Sequence, residues 1–436
     1  MVDSKIALIN ATLADGSVTN VVIAGVKISE VGPKAGESFS SEQKIDCAGL
    51  VLLPGFVDLH THLREPGFEQ SETVLSGSKA AAKGGFTAVH AMANTNPVAD
   101  NAAVVEQVLA LGKDAGYVDV FPVGAVTVGL LGEQLAELGS MANSKAQVRV
   151  FSDDGKCVHD ALLMRRALEY VKTFDGVVAQ HAQDPALTKD AQMNEGAVSA
   201  ELGLTGWPSM AESSIIARDV LIAKHVDSRV HICHVSTAES VEVIRWAKKQ
   251  GIRVTAEVTP HHLILNDELA RGYDAVFKVN PPLRTQADVR AVREGLIDGT
   301  IDIIATDHAP HQSESKEREW AAAAFGMTGL EVAASIAQEV LIESGASNWK
   351  RLAEVLSINP SRIAGDAEHG QEILVGSIAN LVLIDPTAKR VIPAESASKS
   401  TNNPYIGMTL PGKVVHTIYA GYLTVRDGEL SERGRR

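Results

Sequence analysis

The sequence predicts an α/β protein: a (β/α)8 TIM barrel with a small β-sandwich domain built from both chain ends. Three observations lead there. Eight short β-like runs alternate with helical stretches through the middle of the chain. Strand-like segments with Gly and Asp turns occupy both ends. No GxGxxG or GxxxxGK[ST] phosphate loop follows any strand. Alternation of strands and helices implies parallel pairing with crossover helices, and eight such units imply a barrel. The lack of a phosphate loop weakens the doubly wound nucleotide-binding alternative.

The elements follow in order. KIALIN, SVTNVVIAGVKISEVG and EQKIDCAGLVLLPG read as antiparallel strands from their alternation and turns. The eight runs are GFVDLH (55–60), FTAVHAM (86–92), VDVFPVGAV (118–126), VRVFSD (148–153), VVAQH (177–181), RVHICHV (229–235), IRVTAEV (252–258) and IDIIAT (301–306). Between them, SETVLSGSKAAAKGG has a Ser start signal and a Gly stop, and ALLMRRALEYVKTF and SVEVIRWAKKQG show helical periodicity with good helix formers. At the far end IANLVLIDP, RVIPAE and KVVHTIYAGYLTVRDGEL are again strand-like. The expected domains are 1–53 and 369–436 for the two parts of the sandwich and 54–368 for the barrel.

Composition narrows the function. At 436 residues, one large domain plus a smaller one is expected. A formal net charge of −14 argues against a nucleic-acid surface, though a single buried arginine can still receive an anionic small molecule. No apolar run reaches membrane-helix length, and the first residues lack the basic-then-apolar pattern of a secretory signal. Cys47, Cys157 and Cys233 are too few and too scattered for a disulfide framework or a zinc ribbon. A cytoplasmic setting is expected.

Barrel active sites lie at the C-terminal ends of the strands. There the sequence places His60 and His62, then Asp153 and Asp154, then His181, His234, and finally Asp307, His308 and His311. Side chains two apart on a strand share a face, so His60 and His62 can bind one cation. Nitrogen and carboxylate ligands suit zinc first, and manganese or iron less well. Adjacent Asp153 and Asp154 point to opposite faces, so only one is expected to serve as a ligand.

Taken in order, LLPGFVDLHTHLREPG, AMANTNP, VFSDDG, AQHAQD, HICHVST, VNPPLRT and ATDHAPH resemble the amidohydrolase superfamily, and within it the type I bacterial dihydroorotases. The resemblance spans residue 52 to about 365, closing with INPSRIAG. It implies the metal ligands His60, His62, Asp154, His181, His234 and Asp307, holding one or two zinc ions per subunit, with two favoured. Many relatives bridge two metals with a carboxylated lysine at the end of strand four. The type I dihydroorotases resemble this chain in using the second aspartate, and Asp153 is then left to a turn or supporting role. The resemblance also implies substrate contacts at His62, Arg64, Asn94, Asn280, His311, Phe325 and Gly326. Arg64 shares the parity of the two histidines and can offer a planar fork to a carboxylate. Two departures stand out: Ala93 in MANTNP where several relatives read MPNTNP, and AQHAQD in place of AHCED around His181.

The implied activity is the reversible cyclisation of N-carbamoyl-L-aspartate to (S)-dihydroorotate in pyrimidine biosynthesis. A bound cation lowers the pKa of its water from 15.7 to about 7, and the resulting hydroxide attacks the ring carbonyl. Asp307 is implied as the catalytic base and acid, moving the proton between that hydroxide and the ring nitrogen. A homodimer and an association with aspartate carbamoyltransferase belong to the same expectation. The rivals are another cyclic amidohydrolase, of allantoinase or hydantoinase type, and a non-catalytic scaffold for the carbamoyltransferase. The polar stretch 311–326 is a candidate lid, and His261 and His262 are read as structural.

Overall fold

The computed structural model describes residues 5–432. The expected outer domain limits at 1 and 436 therefore lie outside the described residues. The chain opens with β1 Lys5–Leu13, β2 Val18–Ala24, β3 Lys27–Gly32, β4 Lys44–Asp46 and β5 Val51–Pro54. Next come β6 Phe56–Thr61, β7 Phe86–Ala91, β8 Asp119–Pro122, β9 Val150–Phe151 and β10 Val177–Gln180. A short ribbon, β11 Met193–Asn194 and β12 Gly206–Trp207, precedes β13 Val230–Ile232, β14 Val254–Val258 and β15 Ile303–Ile304. The chain closes with β16 Leu381–Val391, β17 Thr409–Tyr419, β18 Tyr422–Arg426 and β19 Glu429–Leu430.

The two chain ends build a β-sheet domain. Its strands follow one pairing path, β19-β18-β17-β16-β5-β1-β2-β3, with β4 also on β1. The sequence predicts two facing sheets, whereas hydrogen bonding makes one. The reason is β5, which pairs parallel with β1 on one side and antiparallel with β16 on the other. In a flat sheet β16 and β3 would stand roughly 19 Å apart at the usual strand spacing. Yet Ala379, just before β16, donates its N–H to Val26 O at 2.9 Å, just before β3. The sheet therefore curls, and Leu8, Val21, Ile23, Leu52, Leu381, Leu383 and Ile418 share one buried cluster inside the curl. RVIPAE, predicted as a separate strand, begins as the last residues of β16.

In the middle of the chain all eight predicted runs contain a strand. β6, β7 and β8 pair in parallel, as do β9, β10, β13, β14 and β15. Two isolated parallel bridges join these arcs, Gly124 to Phe151 and Thr61 to His308, so the pairing order returns to β6. The runs at 229–235 and 301–306 shorten to β13 and β15. His234 at φ 33° and Asp307 at φ 45° leave extended geometry at the strand ends. The predicted helices appear as Val74–Lys83, Ala161–Val171 and Ala238–Lys249. Thr73, rather than the expected Ser71, caps the first by accepting from Ser76 N at 3.1 Å. Asp160 and Thr237 cap the other two.

Candidate active site

Every predicted ligand comes from the C-terminal end of a strand. His60 is in β6 and His62 one residue beyond it, Asp154 follows β9, His181 follows β10, His234 follows β13, and Asp307 follows β15. All six are buried. His60 Nε2 lies 3.3 Å from Asp154 Oδ1 and 3.5 Å from Asp307 Oδ1. His62 Nε2 lies 3.3 Å from Asp154 Oδ2 and 3.1 Å from Asp307 Oδ1. At the same Asp154 oxygen as His60, His181 Nδ1 and His234 Nε2 stand 3.1 and 3.3 Å from Oδ1 and 2.8 Å from each other.

The partners of the outer ring nitrogens fix which nitrogen faces inward. His60 Nδ1–H donates to Glu257 Oε1 at 2.6 Å, His62 Nδ1–H to Asn94 Oδ1 at 2.9 Å, and His181 Nε2–H to Gln183 Oε1 at 2.7 Å. Each ring thereby turns its other nitrogen toward Asp154. Gln183 is the last Gln of AQHAQD, so the departure from AHCED still supplies an acceptor behind His181. Asp153 points away and accepts from Val126 N at 2.8 Å and Thr127 N at 2.9 Å, the supporting role expected of it.

The site demands positive charge. Burial opposes ionising His60, but Asp154, Glu257 and Asp307 outweigh it and hold the imidazole well above its usual range. Burial likewise opposes ionising Asp154, and His60, His181 and His234 hold the carboxyl well below its usual range. Asp307 is also lowered, against burial, by His60 and His62. A cation fits this donor set, because His60 Nε2 is buried without a hydrogen-bond partner and three imidazole nitrogens converge on one carboxylate oxygen. His60, Asp154 and His234 form one group with ligand atoms within 4.8 Å of one another, and His60, His62 and Asp307 form another. Cys233 adjoins His60 and Glu257 in a third, but burial pushes its pKa up and keeps it a thiol.

Beside this centre stands a polar wall. Arg64 does not arrive by strand parity: β6 has ended, and Arg64 turns at φ 62°, where its Nε donates to Pro310 O at 3.1 Å. Its guanidinium reaches within 3.4 Å of His311 Nε2. That nitrogen carries a proton donated to Phe325 O at 2.8 Å. Burial and the neighbouring Arg64 push His311 down to about 3, so it is neutral. Gly326, at φ 147°, lies so close that a Cβ would meet His311 Cδ2 at 2.8 Å. Asn280 Nδ2 donates to Gln183 Oε1 at 3.1 Å, while its Oδ1 is buried without a partner. His261 and His262 are buried, and His262 bonds Thr259 Oγ1 at 2.8 Å and Pro281 O at 3.2 Å.

Sequence reasoning missed Glu257. Its carboxylate accepts from His60, from His231 Nε2 at 3.0 Å and from His234 N at 3.2 Å. The available signal was a lone acid inside the otherwise apolar end of IRVTAEV. Two buried lysines bond to the backbone of the stretch 311–326, the candidate lid. Lys278 Nζ donates to Trp320 O at 2.6 Å and Ala323 O at 2.9 Å, and Lys316 donates to Ala324 O at 2.9 Å.

Imidazoles and carboxylates gathered at the ends of parallel strands are a donor set of the kind metal-dependent hydrolases use. A family model described as Dihydro-orotase-like matches residues 49–240. The chain is 62% identical over 433 residues to a protein of Leifsonia xyli subsp. xyli named Dihydroorotase, covering 99% of this chain and 98% of that one. It is 60% identical over 429 residues to a Streptomyces coelicolor protein of the same name, covering 98% and 100%. Among solved structures it resembles dihydropyrimidinase from Brevibacillus agri, with TM-score 0.85 and 23% identity, covering 99% and 97% of the two chains. The chain belongs to the dihydroorotase family of the amidohydrolase superfamily. Among the described residues no helix is long and apolar enough to cross a membrane.

Proposed function

We propose that this enzyme interconverts N-carbamoyl-L-aspartate and (S)-dihydroorotate. The observation that carries the reading is the charge layout: an arginine and a neutral histidine, Arg64 and His311, stand 3.4 Å apart beside the six-residue imidazole and carboxylate cluster. An anionic cyclic amide fits it, with its carboxylate at Arg64, Asn94 and His311 and its amide at the cluster. Asn94 Oδ1 is engaged by His62, and its Nδ2 has only a long contact to Asp154 O at 3.5 Å, leaving that amine for substrate. The unpartnered Asn280 Oδ1 suits a ring N–H, and the backbone at Phe325 and Gly326 lines the pyrimidine edge.

His60, His62, Asp154, His181, His234 and Asp307 would hold zinc. Asp154 faces His62 through Oδ2 and His60, His181 and His234 through Oδ1, a donor set that would hold two zinc ions. Bound zinc acidifies water and polarises the scissile carbonyl. Asp307 is held ionised and serves as the base. In hydrolysis, water adds to the ring carbonyl carbon and the bond to the ring nitrogen breaks. Asp307 accepts the water proton and returns it to the departing nitrogen. In cyclisation the same carboxylate takes the proton from the carbamoyl nitrogen as water leaves.

The cyclic pairing order supports a (β/α)8 barrel over 54–368, with 1–53 and 369–436 forming the second domain. A homodimer, an association with aspartate carbamoyltransferase and a cytoplasmic setting belong to the same reading; light scattering with and without the carbamoyltransferase checks the first two. Likeness to hydantoinase-type structures at 23% identity or less bears on fold alone. Turnover of dihydroorotate, hydantoin and allantoin is the deciding experiment. Preference for dihydroorotate is expected, and activity confined to the other two would overturn the reading. A purified protein that takes up no zinc and turns over none of the three would point to a scaffold.

A further inference from the structure

The wall that faces the substrate is not self-supporting. Gly326 O accepts from Lys316 Nζ at 3.0 Å and from Asn402 Nδ2 at 3.1 Å. Lys316 Nζ also donates to Lys278 O at 3.0 Å and Ala324 O at 2.9 Å. An ammonium has three N–H donors, and all three end on backbone carbonyls of this wall. Lys278 O in turn accepts Gly326 N at 3.0 Å. On the other flank, Asn402 Oδ1 accepts from His311 N at 3.0 Å while its Nδ2 also donates to Ala309 O at 3.0 Å. Residues 309–311 and Gly326 thus hang from one side chain. His311 closes the loop by donating to Phe325 O and packing where a Gly326 Cβ would stand.

We propose that Lys316 and Asn402 are positioning residues for substrate recognition, fixing the Phe325–Gly326 backbone and the His311 ring through their shared hold on the Gly326 carbonyl. Neither touches the imidazole and carboxylate cluster through any hydrogen bond. Their loss therefore falls on substrate affinity rather than on the bond-breaking step or on cation binding. The inference rests on the dihydroorotase reading, because that reading makes His311, Phe325 and Gly326 substrate contacts. Asn402 lies between β16 and β17, so the β-sheet domain of the chain ends completes the recognition wall of the central domain.

The test uses the full-length, zinc-loaded enzyme with Lys316→Met and Asn402→Asp. Lys316→Met keeps the stem and removes all three donors. Asn402→Asp keeps the acceptor for His311 N and sets a carboxylate against two carbonyls. Each variant is expected to raise KM for dihydroorotate about tenfold or more, with kcat within about threefold and zinc content unchanged. If Lys316→Met does not fold, Asn402→Asp decides alone. A variant with unchanged KM, or with kcat lost at constant KM, overturns the inference while an active wild type leaves the parent reading standing. A wild type inactive on dihydroorotate overturns both.

Discussion

Glu257→Gln isolates the contribution of a group that touches no substrate. The native carboxylate accepts from His60 Nδ1 at 2.6 Å and His231 Nε2 at 3.0 Å. A glutamine amide accepts through one atom and donates through the other. Turned with its NH2 toward His60, it would force that ring's proton onto Nε2, the face that must carry a lone pair. Turned toward His231, it needs only a proton moved to His231 Nδ1, where Thr255 Oγ1 at 2.9 Å can accept it. The second arrangement wins, so His60 keeps its orientation and loses an anionic acceptor. Charge-assisted hydrogen bonds contribute about 1.5–3 kcal/mol and neutral ones about 0.5–1.5. The difference of about 1–2 kcal/mol is a factor of roughly 5–30 in affinity for the cation. Glu257→Ala leaves two buried imidazoles without their partner and is expected to weaken it about a hundredfold. Competition with a chelator of known zinc affinity measures both, with the zinc dependence of Tm as a second readout. A Gln variant that holds zinc as tightly as wild type would refute the argument that Glu257 orients and charges His60.

Asp307→Asn is expected to lower kcat by a factor of about 100 or more while the dissociation constant of a competitive product analogue changes little; equal losses in both would remove Asp307 from proton transfer. Arg64→Met is expected to raise KM by roughly 10- to 100-fold, the worth of a charge-assisted contact to a carboxylate; an unchanged KM would place the substrate carboxylate elsewhere. His90 is buried, and burial pushes it down from 6.5 to about 4. The unfolded chain thus binds the extra proton between those values, so stability is full above 6.5 and falls as pH drops through 4, by about 3 kcal/mol in total. His90→Asn is expected to flatten Tm against pH across that window, and an unchanged slope would contradict it.

Much of the central domain is legible because period-two apolar runs and helix caps are local signals. The strand-end histidines and aspartates were readable for the same reason, since each interrupts an apolar run, whereas the choice of six among them as candidate ligands came from the family resemblance. What escaped reading is non-local. Arg64 itself was named, but its route to the wall is a left-handed turn, which parity along a strand cannot describe. Glu257 resembles any acid on a strand until His60 and His231 are seen on either side of it. Lys316 and Asn402 reveal their role only when carbonyls from distant segments converge on them. The strand segments of the chain ends were visible, but the bridging part played by β5 was not, because pairing partners leave no mark on a single strand's pattern.

That bridging has a consequence for synthesis. β5 leaves the ribosome early, yet one of its two edges stays bare until β16 has been made. The wall bearing His311 likewise lacks Asn402 until the chain has been made that far. Catalytic competence should therefore wait for β16 and Asn402. Excising the central domain as a minimal enzyme would cut away part of its own pocket.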